Sequence, residues 1–346
     1  MGSSRVVILC ILTASFWVPG LAGAQVDWAF FKERFVAEDG RVIDVRQDKT
    51  SHSEGQGYAM LLAVKHGDQE AFATIWAWTR TNIGVRQGDA LLAWSWGRRP
   101  TGDWEVRDYN NASDGDTLVA WALLLADRTW PGHGYARAGS TLIRSIREHL
   151  LLERNGKLHL LPGYFGFDHE ARLVLNPSYW ITAAYDWFAR VDDRAVWSTL
   201  KQDALHMTSA LSFGHLNLPA DWAVVTQSGY ELNETRSTRF GHEAVRIPLY
   251  LAWDQNAEAL HRFDRAISTF EELGMIPVFV DLADDTCSLF EASGGVYAIF
   301  ARACRELGRT ELSRQWWARA AEKVSRERDD YYSVVLSLLA RLEFEE

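Results

Sequence analysis

The chain has 346 residues, with 46 acidic against 36 basic side chains and a formal net charge of −10. That balance argues against nucleic acid and anionic membrane as partners, and is neutral towards an uncharged substrate. Its 3 cysteines and 10 histidines show no metal-ligand spacing, so no metal is expected.

Residues 1–24 read as an export signal. Arg5 supplies the positive start, Val6 to Trp17 an apolar stretch, and Ala22-Gly23-Ala24 the small residues for cleavage before Gln25. The apolar part is too short to span a bilayer, and no later stretch reaches about 18 uninterrupted apolar residues. A periplasmic or secreted protein without a membrane span is expected. Cys287 and Cys304 remain after cleavage, and an oxidising compartment would permit a bridge between them; two buried free thiols are the alternative.

Helical spacing of apolar residues predicts helices over 27–36, 54–66, 69–83, 114–128, 133–150 and 177–190. Six more follow over 194–211, 242–255, 258–273, 291–307, 310–325 and 330–343, with Pro248 kinking the eighth or limiting its start. No linker or low-complexity segment interrupts residues 25–346, so one domain is expected. About twelve helices in pairs, few strands and no repeat period fit an all-α toroid of six helical hairpins. The stretches 84–113, 151–176 and 212–241 become loops over one end, and loops of that length are usually functional. Nothing suggests a coiled-coil or edge-strand partner, so a monomer is expected.

Asn110-Asn111-Ala112-Ser113-Asp114-Gly115-Asp116 opens an apolar helix with two carboxylates. Ser113 and Asp114 are favoured capping types, and free N–H groups of a first turn hold a carboxylate in its charged form. Asp114 is therefore either a cap or a working anion, and Asp116 either a substrate ligand or part of the cap. Ser53-Glu54-Gly55-Gln56-Gly57-Tyr58 is a second acidic helix start. An apolar wall or a neighbouring carboxylate would raise Glu54 towards its working pH, whereas the helix N-terminus lowers it. Trp76, Trp121, Trp187 and Trp316 sit in helical stretches and read as packing. Trp94, Trp96, Trp104 and Trp222 fall in the long loops, where an indole face with a polar edge suits a sugar ring. Hydrolysis of a glycosidic bond needs one protonated and one ionised carboxyl group, and Glu54 suits the first role.

The segments Gly40-Arg41-Val42-Ile43-Asp44, Ser53 to Tyr58, Trp104-Glu105-Val106 and Ala112 to Asp116 resemble glycoside hydrolase family eight. So do Leu161-Pro162-Gly163, Asn176-Pro177-Ser178-Tyr179, Ala220-Asp221-Trp222 and Asp330-Tyr331-Tyr332, in the family's order and across nearly all of residues 25–346. The resemblance is strongest to periplasmic endoglucanases that accompany bacterial cellulose synthases. It implies an (α/α)6 barrel and an inverting endo-β-1,4-glucanase without a cofactor, acting on a β-1,4-glucan, with the cellulose synthase complex as a candidate partner. By position, Glu54 would be the general acid, Asp114 the carboxylate that grips and distorts the sugar, and Tyr179 a neighbour of the attacking water.

One departure stands out. Where the family commonly shows Tyr-Asp-Ala-x-Arg, this chain reads His242-Glu243-Ala244-Val245-Arg246. Glu243 is still a carboxylate, and Arg246 one helical turn on would help keep it ionised and contribute to substrate binding. The longer side chain adds up to about 1.5 Å of reach, so the backbone must recede for an acid–base separation of roughly 6.5–9.5 Å. Two other outcomes follow from the same residues: a glucan-binding component of an export machine with hydrolysis lost, or a related hydrolase of xylan or chitosan. Asp221 receives no role from the sequence.

Overall fold

The computed structural model describes residues 26–344; the export signal read over 1–24 lies outside them. The α-helices are α1 (Trp28–Phe35), α2 (Ser53–Lys65), α3 (Gln69–Asn82), α4 (Ser113–Thr129), α5 (Tyr135–Leu150), α6 (Thr182–Val191) and α7 (Arg194–Ala210). They continue with α8 (Ile247–Trp253), α9 (Ala257–Leu260), α10 (Asp264–Leu273), α11 (Gly294–Glu306), α12 (Thr310–Arg326) and α13 (Tyr331–Leu339).

Two helix types build the barrel. In α2 every residue from Gly55 to Val64 is buried, as is all of α8. Helices apolar on all sides must be surrounded. In α5 burial falls on Tyr135, Gly139, Leu142, Ile143, Ile146 and Leu150, one stripe of a helix whose other face is polar. Accordingly α2, α4, α6, α8, α11 and α13 form an inner ring in which each touches the next and α13 closes on α2. The outer partners α3, α5, α7, α9, α12 and α1 pack on them in the same order, giving an (α/α)6 barrel. Trp121 and Trp253 are fully buried inside it, with ring centroids 4.3 and 5.0 Å from Phe344. Trp316 is buried, and Trp76 and Trp187 pack half-buried against the core, as the packing reading requires.

Helix boundaries differ from the sequence pattern where local chemistry intervenes. The 242–255 helix begins only at Ile247, because Pro248 occupies its first turn and a 3-10 turn (Ala244–Arg246) precedes it. The 177–190 segment splits into a 3-10 turn (Pro177–Tyr179), capped by Asn176, and α6. α4 starts at Ser113 after Ala112, so Asp114 does not cap it but sits inside the first turn.

The three long loops, together with the segments before α2 and between α10 and α11, contain short antiparallel strands that alternation over two to five residues is too brief to reveal. They are β1 (Ser51–His52), β2 (Ser95–Arg98), β3 (Trp104–Asp108), β4 (Leu151–Arg154), β5 (Lys157–Leu160), β6 (Asp168–His169) and β7 (Arg172–Leu175). The rest are β8 (Ala223–Thr226), β9 (Gly229–Leu232), β10 (Arg239–Phe240), β11 (Val280–Asp281) and β12 (Thr286–Cys287). Sheets β1-β2-β3, β4-β5, β6-β7-β8-β9 and β10-β11-β12 tie the loops together. Cys287 and Cys304 are both free thiols. Among the described residues, no helix is long and apolar enough to cross a membrane.

Candidate active site

Two helix starts meet at the open end of the barrel, and glycines let them meet. A Cβ on Gly115 of α4 would lie 2.1 Å from Ser53 Oγ and 2.8 Å from the Glu54 nitrogen of α2. A Cβ on Gly57 would lie 2.6 Å from Leu118 Cβ. Only side chains this small allow Glu54 and Asp114, each the second residue of its helix, to share one cleft. The cleft is lined by both, together with Trp94, Tyr179, Glu243 and Arg246.

Arg246 is the hub. Its guanidinium is buried and donates to Glu54 Oε1 and Glu243 Oε2 in two short contacts, to Asp114 Oδ2 at 3.2 Å and to Ser178 Oγ at 2.9 Å. Ser178 Oγ in turn donates to Asn176 Oδ1 (2.7 Å), and Asn176 Nδ2 donates to Glu243 Oε2 (3.2 Å), closing a ring. Glu54 Oε1 also accepts from Tyr58 Oη at 2.9 Å, and Tyr58 is 2.5 Å from Tyr250 Oη. Glu54 and Glu243 thus face each other across one guanidinium, each with about a quarter of its side chain open to solvent.

Electrostatics follow from burial. The Asp114 carboxyl is pushed up to about 7 by desolvation, with the Asp116 charge adding and the Gly115 N–H opposing. The helix start therefore does not hold Asp114 firmly charged as the sequence suggests: removal from water outweighs the first-turn N–H groups. Glu243 is pushed up to about 8, first by burial and then by the charges of Asp114 and Asp221, against the hydrogen bonds from Asn176 and Arg246. One guanidinium cannot neutralise three carboxylates crowded round it, one of them wholly and two of them largely withdrawn from water, so the cluster favours keeping a proton.

The other expected site residues divide. Trp94 lines the cleft, 37% exposed, with its ring on His52 at 5.7 Å. Trp96 does not line it: a bulge between Ser95 and Trp96 breaks the alternation, and the ring packs on Trp78, Trp104 and the Arg41 guanidinium. Trp104 is 43% exposed but belongs to that same cluster rather than to the wall around the carboxylates. Tyr179 lies with its ring 5.7 Å from the Arg246 guanidinium and edge-on to Trp222, which stacks on Phe167. Asp116 is wholly buried. Its oxygens accept from Leu92 N (2.8 Å) and Asn111 Nδ2 (2.7 Å), so it anchors the 84–113 loop and neither reaches the cleft nor caps its own helix.

Several residues at the site carry no sequence-derived role: Asn176, Ser178, Tyr58, Tyr250 and Asp221. Tyr58 stands four residues after Glu54 on a helix, a spacing that signals contact. The others are joined to the carboxylates only by the fold.

The profile of Glycosyl hydrolases family 8 matches residues 2–345. An endoglucanase of Cellulomonas uda is 33% identical over 297 residues, covering 85% of this chain and 82% of its own. Among solved structures, a family 8 endo-β-1,4-glucanase from an Achatina fulica gut metagenomic library superposes with TM-score 0.81 at 31% identity, covering 93% of this chain and 98% of its own. The endo-β-1,4-glucanase CMCax from Acetobacter xylinum gives 0.80 at 30% identity, covering 92% and 97%. The chain belongs to glycosyl hydrolase family 8 and is a glycoside hydrolase.

Proposed function

We propose that the protein is an inverting endo-β-1,4-glucanase that cuts internal bonds of cellulose or a similar β-glucan. The observation that carries this reading is the convergence of Glu54, Asp114 and Glu243 on Arg246 in one open cleft. Glu54 gives its proton to the leaving glycosidic oxygen. Glu243, in its ionised form, takes a proton from a water that attacks the anomeric carbon from the opposite face, beside Tyr179; with its carboxyl pushed up to about 8 by burial, that form gains as pH rises. Asp114 accepts hydrogen bonds from the sugar at the cleavage point and favours its distorted ring. Arg246 fixes all three carboxylates, and Trp94 offers an apolar face to a neighbouring sugar, with Trp222 and Trp104 further out. The names of the relatives support a β-1,4-glucan as substrate.

Residues 25–346 act as one monomeric catalytic domain, exported to the periplasm or secreted, in a bacterial cellulose-synthesis system with the synthase complex as candidate partner. The leader-like first 24 residues and the resemblance to the cellulose-synthesis endoglucanases support that placement. The test is release of reducing ends from carboxymethylcellulose by wild type, Glu54→Gln and Glu243→Gln. The proposal requires activity in the first and near-complete loss in both variants; a fully active variant removes that residue from the chemistry.

A further inference from the structure

Glu243 stands at the start of a single 3-10 turn (Ala244–Arg246), and its own side chain does not cap that turn. The turn is held from outside by Asp221. The Asp221 Oδ1 atom accepts three backbone N–H groups of that turn: Gly241 at 3.0 Å, Glu243 at 3.1 Å and Ala244 at 2.8 Å. Oδ2 accepts from Ser237 Oγ at 3.1 Å, and the Asp221 N–H donates to the Arg239 carbonyl at 2.6 Å. The carboxylate is buried, and a Cβ on Gly241 would lie 3.2 Å from Oδ2, so the turn is wrapped closely round it. Three N–H groups converging on one oxygen form an anion-binding nest, here filled by the protein's own side chain.

We infer that Asp221 is a positioning residue for hydrolysis: by gathering the N–H groups of residues 241, 243 and 244 it sets where the Glu243 carboxylate stands beneath the sugar. The inference rests on the reading of Glu243 as the base. It answers the geometric question that a glutamate at this position raises. An extra bond of reach is tolerable only if the backbone is fixed back from the cleft, and the clamp fixes the Glu243 nitrogen directly. The chain step is short: Trp222, next to Asp221, stacks on Phe167 and meets Tyr179 edge-on, so the clamp is continuous with a wall of packed aromatic side chains.

Asp221 also acts through charge. The groups facing Glu243 are Glu54 from α2 across the Arg246 guanidinium, Asp114 from α4, Arg246 from its own turn, Tyr179 from the 3-10 turn before α6, Tyr250 from α8, Tyr332 from α13 and Asp221 itself. The Asp221 charge disfavours ionisation of Glu243, so its removal lowers the pH at which the base loses its proton.

These two effects separate in two variants. Asp221→Asn keeps an oxygen for the three N–H groups and an NH2 for Ser237, but loses the charge. Asp221→Ala loses both. With cellohexaose as substrate, kcat, KM and the pH profile of kcat/KM are measured for wild type, both variants and Glu243→Gln, with thermal unfolding as a check on folding. Asp221→Ala loses about a hundredfold in kcat with KM nearly unchanged, as for a base displaced by about 1 Å. Asp221→Asn loses less than tenfold, and its acidic limb moves to lower pH. A folded Asp221→Ala with wild-type kcat, or an Asp221→Asn whose acidic limb stays in place, overturns the inference. An active Glu243→Gln instead refutes the base assignment itself, whatever the Asp221 variants do.

Discussion

The paired helix starts of α2 and α4 and the turn at 241–246 present carboxylates to the same cleft by opposite means. Ser53-Glu54-Gly55 and Ser113-Asp114-Gly115 repeat one local pattern, serine, acid, glycine, and each acid is placed by its own helix and by close packing of one helix on the other. Glu243 stands on a short 3-10 turn and depends on partners far away in the chain: Asp221, 22 residues earlier, and Asn176, 67 residues earlier. A helix start is a rigid mount that tolerates little added volume. A turn is an adjustable mount that can accommodate a longer side chain, provided something grips its backbone.

The largest effect comes from removing either end of the proton path. Glu54→Gln and Glu243→Gln each lower kcat by about 10²–10⁴ with little change in KM, read from initial rates on cellohexaose. Next is the rigid mount. Gly115→Ala places a methyl group against the Glu54 backbone nitrogen, which cannot rotate away, so α2 must shift. The expected cost is about 1–3 kcal/mol in thermal unfolding and, with Glu54 displaced by about 1 Å, roughly a hundredfold in kcat. An alanine variant with unchanged activity would show that the two helices are not in the tight register described.

Asp116→Ala has a smaller effect on a different property. It leaves the Leu92 N–H and the Asn111 amide buried without an acceptor, at about 2–3 kcal/mol. The 84–113 loop then becomes sensitive to proteolysis at temperatures where the barrel still holds, which limited digestion detects.

The smallest effect has the opposite sign. Asp114 and Glu243 are neutral in both folded and unfolded chains at low pH. As pH rises, the unfolded chain ionises first, near 4, while the folded groups hold their protons until about 7 and about 8. Stability is therefore fully present below the unfolded values and lost as pH rises through the folded ones. Asp114→Asn removes part of that loss. It raises stability at pH 8 by about 1–2 kcal/mol, discounted for the Arg246 contact, and changes little at pH 4. A wild-type and variant pair with parallel melting temperatures across this range contradicts the burial effect.

The same contrast explains what the sequence could reveal. The six-hairpin barrel is legible because about twelve stretches of helical apolar spacing come in pairs with short gaps, whereas which helices are apolar all round and which are striped emerges only from the packing. Glu54 and Asp114 were legible as helix-start acids. The neutralising bias on Asp114 was not, because desolvation depends on the whole barrel closing over it. Arg246 reads in sequence as a local partner three residues from Glu243, yet it also binds Asp114, 132 residues earlier. Trp96 looks like a loop aromatic equivalent to Trp94 until the bulge turns it into the Trp78 cluster. Strands of two to five residues leave no periodic trace, and the clamp at Asp221 is made of backbone N–H groups that no residue type announces.

The central claim is that Glu54 and Glu243 act on opposite faces of one β-linkage with a water between them. The direct measurement is proton NMR of the anomer first released from cellohexaose, recorded before mutarotation. A single displacement yields the α-anomer at the new reducing end; initial release of the β-anomer would mean a covalent intermediate and would contradict the assignment of Glu243 as a base acting on water.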